Sequence, residues 1–222
     1  MISSKNLFYC LLLLFIGLQS CSDDPDTIDP TDPNNNDNPI GTEVATLSSE
    51  VLTQWTKLYL ELERYATDMR PNTSARAAAY VNLAAYEVAV PGMSTYSSAE
   101  RSLSDFTITD LSEEVDWNIA LNTAYADVIE HFLFTLSDSD VSRITAFEAA
   151  LNTSLSQGVD EDLIDVSIQW GATAAQDIIA YSQTDTEAET QILEPQPLSY
   201  IPPTGEGFWT FNAEPERALF PY

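Results

Sequence analysis

Apolar residues at Val44, Leu47, Val51, Trp55, Leu58, Leu62, Tyr65 and Met69 recur at alternating steps of three and four. That one-sided stripe predicts an amphipathic helix from Val44 to Met69. Arg70-Pro71 closes it, because the residue before a proline is pushed out of the helical region. Asn72, Thr73 or Ser74 then offers a cap for a second helix from Ala75 to Val90. This helix is apolar on nearly every side, which predicts a central position, and Pro91-Gly92 ends it. Residues Met93 to Thr109 are rich in Ser and Thr without helical period and read as a connecting loop.

Asp110 with Glu113 three residues later resembles a capping box, opening a third helix that runs to about Leu136. Its main face carries Val115, Ile119, Ala126, Ile129 and Leu133. A fourth helix, capped by Asp138 or Asp140, bears Val141, Ile144, Phe147, Leu151 and Leu155 and stops before Gly158. A fifth covers about Asp160 to Ser182, with Leu163, Val166, Trp170, Ala174, Ile178 and Tyr181 in register. Gly171 among its alanines suits a close helix crossing, against a helical-glycine cost of ~1 kcal/mol relative to alanine. No strand pattern or repeat period interrupts the series. The predicted fold class is all-α, a bundle of about five helices over residues 44–183. It is followed over 184–222 by a Pro/aromatic-rich irregular segment expected to pack on the bundle. There, prolines between 195 and 221 alternate with Tyr200, Phe208, Trp209, Phe211, Phe220 and Tyr222.

The first 43 residues are of a different kind. Lys5 precedes an apolar stretch of 12 residues from Leu7 to Leu18, whereas a helix crossing a bilayer needs roughly 20. The pattern is that of a secretory signal. Leu18-Gln19-Ser20-Cys21 resembles a bacterial lipobox, which implies a signal peptide at 1–21 and acylation of Cys21. An ordinary signal peptide with an incidental thiol is the alternative. Residues 22–43 hold seven acids, no base and four prolines, the composition of a disordered acidic tether. This acidic stretch resembles the export signal of surface lipoproteins in Bacteroidetes-type bacteria; a charged linker without address information is the other reading.

Composition then narrows the chemistry. The 222 residues contain 35 Asp plus Glu against 8 Lys plus Arg, a formal charge of −27 that becomes −28 when Lys5 leaves with the signal. Nucleic acid is excluded as an electrostatic partner, and the membrane is reached instead through the lipid anchor on Cys21. With Cys10 inside the signal and Cys21 acylated, the mature chain carries no disulfide. His131 is the only histidine and lies in a helical apolar setting, so a structural role outweighs a general base or metal ligand. The acid triplets Glu113, Glu114, Asp116 and Asp160, Glu161, Asp162 sit at predicted helix starts, where the dipole favours them. No phosphate loop, nucleophile elbow or calcium loop is present. The residues alone assign no catalytic, cofactor-binding or metal-binding site, and no cofactor.

Ser74-Ala75-Arg76-Ala77-Ala78-Ala79-Tyr80-Val81-Asn82-Leu83-Ala84-Ala85-Tyr86-Glu87-Val88-Ala89 resembles the Ala-Arg…Leu-Ala-Tyr-Asp-Ala helix of bacterial vanadium-dependent haloperoxidase-like proteins. These belong to the type 2 phosphatidic-acid phosphatase superfamily. Trp170-Gly171-Ala172-Thr173-Ala174 through Ile179 is similar to the family's Gly-x-x-x-Ala helix. The tail from Pro202 through Trp209 to Tyr222 resembles its Pro-x-Gly-x-Trp…Pro…Ala-Leu-x-Pro segment. The resemblance spans about Val44 to Tyr222 and implies the helical N-terminal half of a haloperoxidase-like or phosphatase-like fold, with vanadate as the cofactor of an intact haloperoxidase parent. The family's oxyanion-binding set is a lysine seven residues before an Arg-Pro, a Ser-Gly-His, and an Arg followed by a second histidine. This chain does not supply it. Seven residues before Arg70-Pro71 stands Glu63, Lys57 lies thirteen before, and one histidine cannot fill two roles.

The expectation is an exported lipoprotein whose helices scaffold a site completed by a missing C-terminal half of the same fold, inactive alone. The alternative is a whole surface lipoprotein whose aromatic tail (Tyr200, Phe208, Trp209, Phe211) binds glycan or peptide.

Overall fold

A computed structural model describes residues 41–67, 69, 71–185, 188–193, 203 and 205–208. Five long helices account for most of them: α1 (Glu50–Glu63), α2 (Pro71–Ala89), α3 (Trp117–Phe132), α4 (Asp138–Leu155) and α5 (Glu161–Ser182), with a short α6 (Ala188–Leu193) after them. No strand occurs among the described residues, so the all-α expectation is correct there. None of their helices is long and apolar enough to cross a membrane.

The periodicity locates every long helix but misplaces several ends. The first stripe is helical only over Glu50–Glu63: Val44–Thr46 forms a separate 3-10 turn, and Tyr65 is exposed rather than part of the buried face. The second helix begins at Pro71 itself, not at Ala75, because a proline at the first helical position lacks only an N–H that has no intrahelical acceptor. Asp110 does not open the third helix. Asp116 caps it, accepting from the backbone N–H groups of Asn118 and Ile119 at 2.9 and 3.1 Å. Ser137, rather than Asp138 or Asp140, caps α4, and Asp160 caps α5 as the sequence suggests. Gly158, just past α4, has φ +79°, which glycine adopts without the clash a side chain brings. The segment from 184 onward is not uniformly irregular, since Ala188–Leu193 is helical ahead of the first proline at 195.

The centre of the bundle also differs from the expectation. The alanine-rich α2 leaves Ala75, Ala79 and Asn82 exposed. The central element is α3, which packs against α1, α2, α4 and α5 and buries residues from Trp117 to Phe132 on nearly every side. Bulk explains the exchange: Ile119, Tyr125, Val128, Ile129 and Phe132 remove far more apolar area from water than alanines do. The small residues serve proximity instead. Where α5 crosses α3, the small residues Gly171, Ala174 and Ala175 of one helix and Ala120 and Ala124 of the other are all buried, and a Cβ on Gly171 would lie 2.2 Å from the Ala120 carbonyl oxygen.

Candidate functional site

The helices α2 and α5 pack against each other, and several polar contacts tie them together or lie beside their seam. The Trp170 indole N–H donates to the Val88 carbonyl at 2.9 Å, both residues being buried. That carbonyl is in the last turn of α2, where helical acceptors lack an intrahelical donor, so the indole supplies one.

At one end of the seam Arg76 and Tyr80 reach across to the C-terminus of α5. Arg76 donates from Nε to Asp185 Oδ2 at 2.8 Å and from a terminal nitrogen to the Ser182 carbonyl at 3.0 Å; the Tyr80 hydroxyl donates to the same Asp185 oxygen at 2.8 Å. The guanidinium lies 5.0 Å from the Tyr80 ring centroid and 5.6 Å from that of Phe132, and the two rings stack 5.0 Å apart. Burial by itself would raise the Asp185 carboxyl, but the hydrogen bonds from Tyr80 and Arg76 and the guanidinium charge hold it below its ordinary range. Burial, then the bond to Asp185, pushes the Tyr80 hydroxyl well above a free tyrosine.

This cluster is a positive clamp on a helix C-terminus, fixing where the chain leaves α5. Asp185 is partly exposed, so Arg76→Ala is expected to cost only about 1 kcal/mol. The carboxyl of Asp185 should then titrate at higher pH, read by carbon NMR of that side chain. The stability it supplies is present above the ordinary aspartate range and lost as pH falls through the depressed value. An unmoved Asp185 titration would show that the guanidinium does not hold it.

Next to Val88 on α2, Glu87 is fully buried. One carboxyl oxygen accepts the Ala99 backbone N–H at 2.7 Å, tying the 3-10 turn Ala99–Arg101 to α2, while Oε2 has no partner. Burial raises its pKa; the Ala99 and Ser98 hydrogen bonds oppose this and the charge of Glu100 adds to it. The proton is therefore bound more tightly in the folded chain, and the associated stability, full at and below the ordinary glutamate range, is lost as pH rises through the raised value. Asp127 and Glu148 are raised too, by burial and then by acidic neighbours that include Glu130, with the same sign. Glu87→Gln isolates the one group. It should melt above the parent at alkaline pH and converge with it on acidification, and a gap independent of pH would remove Glu87 from that dependence.

The remaining sequence candidates are dispersed. His131, in the last turn of α3, is half-buried with its ring edge-on to Phe132 at 4.8 Å. Of the acid triplets, Asp116 and Asp160 are helix caps, and Glu161 and Asp162 lie in the first turn of α5. No group of three His, Cys, Asp or Glu side chains able to hold a metal ion occurs among the described residues. Cys21, tether residues 22–40, Tyr200, Trp209, Phe211, Phe220 and Tyr222 lie outside the described residues; the end of the expected tether, 41–43, is not disordered but held on the bundle, where the Thr42 carbonyl accepts the Trp117 indole N–H at 2.8 Å, and Phe208 is exposed. The buried Glu87 and the Arg76–Asp185 clamp have no sequence signal, since both depend on partners distant in the chain.

The described groups do not fit a vanadate or phosphate oxyanion. Arg76 is engaged by Asp185, and Arg143 by Glu61 and Asp140. Lys57, Arg64 and Arg101 are exposed, and the unpartnered oxygen in the seam is a carboxylate acceptor that repels an anion. The seam can lock helices together and respond to pH. No family model, curated protein or solved structure matches the chain.

Proposed function

We propose that this chain is the helical scaffold portion of a haloperoxidase-like or phosphatidic-acid-phosphatase-like lipoprotein, exported and held at the outer membrane, on its periplasmic or cell-surface side, through acylated Cys21. In this reading the cations and imidazoles that grip the oxyanion belong to polypeptide other than residues 1–222, and this portion has no turnover of its own. The observation that carries the reading is the seam. The two segments resembling the family's helices meet through the Trp170–Val88 hydrogen bond, and Arg76, the arginine of the Ala-Arg pattern, clamps the end of α5. Residues that mark a family and also hold each other in place suit a scaffold whose task is geometry.

Two measurements test it. The coding sequence past Tyr222 is expected to continue in frame through a Lys, an Arg-Pro, a Ser-Gly-His and an Arg followed by His. The purified chain, given vanadate, bromide and peroxide or a phosphoester, is expected to show no turnover. A native lipoprotein whose intact mass ends at Tyr222, or catalysis by this chain alone, overturns the proposal. Globomycin-sensitive incorporation of labelled palmitate, lost in Cys21→Ser, tests the anchor separately.

A further inference from the structure

A cavity of about 290 Å³ opens between the residues preceding α1, the exposed side of α2 and the start of α3. Leu47, Leu52, Ala85, Met93 and Leu121 form much of its wall, and no Asp, Glu, Lys or Arg lines it among the described residues. Its size is near the lower end of small-molecule pockets, and its chemistry is theirs: an apolar interior with a few polar groups at the mouth. Its two aromatic walls are fixed in advance. The Tyr86 hydroxyl donates to the Ser97 carbonyl at 2.6 Å, and the Trp117 indole N–H donates to the Thr42 carbonyl at 2.8 Å. Neither ring needs ordering when a ligand enters, which removes a common cost of binding.

Uncharged polar side chains line part of the cavity, and two carboxylates flank lining residues in the chain. The Asn82 amide nitrogen donates to the Ala78 carbonyl at 2.7 Å, and the side-chain oxygen of this lining residue is an acceptor. Glu43 adjoins the wall residue Val44, and its carboxylate accepts from the backbone N–H of Ser94, next to the wall residue Met93, at 3.4 Å. Glu50 follows the rim residue Ser49. An anionic ligand meets these carboxylates and the −27 charge of the whole chain. A cation instead meets complementary charge, acceptors and aromatic quadrupoles, and an ammonium group brings three donors. We propose that this cavity binds a small hydrophobic amine, with its alkyl or aryl body inside and its ammonium at the mouth beside Glu43. This inference is independent of the scaffold reading.

The test is calorimetric titration of the mature chain at neutral pH with n-octylamine, 1-octanol and octanoate, below their aggregation concentrations. Octylamine is expected to bind at least about tenfold more tightly than octanoate, with octanol between. Glu43→Gln should bring octylamine to the level of octanol. Ala85→Phe should abolish binding of all three by filling the cavity. Because that variant sits in the core, where overpacking can prevent folding, Leu52→Lys, at a position 42% exposed, gives the second arm and should weaken octylamine by about tenfold. Octanoate binding as tightly as octylamine, or no binding of octylamine at all, overturns the proposal. So does octylamine binding unchanged by Leu52→Lys, which marks diffuse attraction to the acidic surface. A concentration-dependent dimer abolished by Leu52→Lys would assign the face to a second copy and overturn it as well.

Discussion

Replacing Gly171 with alanine is expected to destabilise the protein by about 2 kcal/mol, although alanine is the better helix former. Two effects of opposite sign compete. Inside a helix, glycine to alanine gains ~1 kcal/mol through reduced freedom of the unfolded chain. Against this, the new Cβ would stand 2.2 Å from the carbonyl oxygen of Ala120 and 3.0 Å from its carbonyl carbon. Those are backbone atoms of α3, so no side-chain rotation relieves the overlap and the two helices must part. Parting loosens the packing of Ala174, Ala175 and Ile178, all buried. Overpacking of this kind costs ~1–3 kcal/mol and occasionally more, so the loss exceeds the propensity gain. At roughly 2–4 °C per kcal/mol for a chain of this size, thermal unfolding should shift down by roughly 4–8 °C. Gly158→Ala is the matched control. Nothing lies within 4 Å of its added Cβ, and only its φ of +79° is strained, a cost of ~1–2 kcal/mol. Equal melting temperatures for G171A and the parent would refute a backbone-to-side-chain contact at this crossing.

Trp55→Ala is expected to be worse, at about 4 kcal/mol, because the indole joins three helices at once. The ring is fully buried on α1, stacks on Tyr125 of α3 at 6.0 Å, and meets Phe147 of α4 edge-on at 4.8 Å. Its N–H donates to Asn122 Oδ1 at 3.0 Å, and the Asn122 amide donates in turn to the Glu148 carbonyl at 3.0 Å. Trp55→Phe keeps an aromatic ring but strands the Asn122 oxygen without a donor. It should cost ~1–3 kcal/mol beyond the lost volume, the penalty for an unmet buried acceptor. Adding Asn122→Leu removes that acceptor, so the double variant should lose less than the sum of the single losses. Urea unfolding at one pH measures all three. Strictly additive losses would show that the indole and the amide act independently.

Much of the architecture is readable in residue spacing because helical periodicity is a local property. Val51, Trp55, Leu58 and Leu62 mark the buried face of α1 by sequence alone, as Trp170, Ala174 and Ile178 do for α5. Helix ends are less legible because several polar residues near each start could serve as the cap. Asp110 and Asp116 both precede α3, yet only Asp116 has its side chain aimed at the first-turn N–H groups, and its own N–H is held by Ser167 Oγ of α5 at 2.8 Å. The choice between two equivalent local signals is made by a contact fifty-one residues away in the chain.

The sequence by itself determined an all-α domain, the approximate position of its long helices and its strongly acidic character, each set by composition or by residues near one another in the chain. The tertiary structure decided which helix is central, that Glu87 is buried with one oxygen unmatched, that Arg76 closes the end of α5, and that an apolar cavity forms beside Glu43. The reason is physical. Periodicity marks which face of a helix avoids water, but depth of burial, the partner of a polar atom and the shape of a void depend on how closely distant helices approach. In this bundle that approach is governed by bulk on α3 and by a missing Cβ at Gly171.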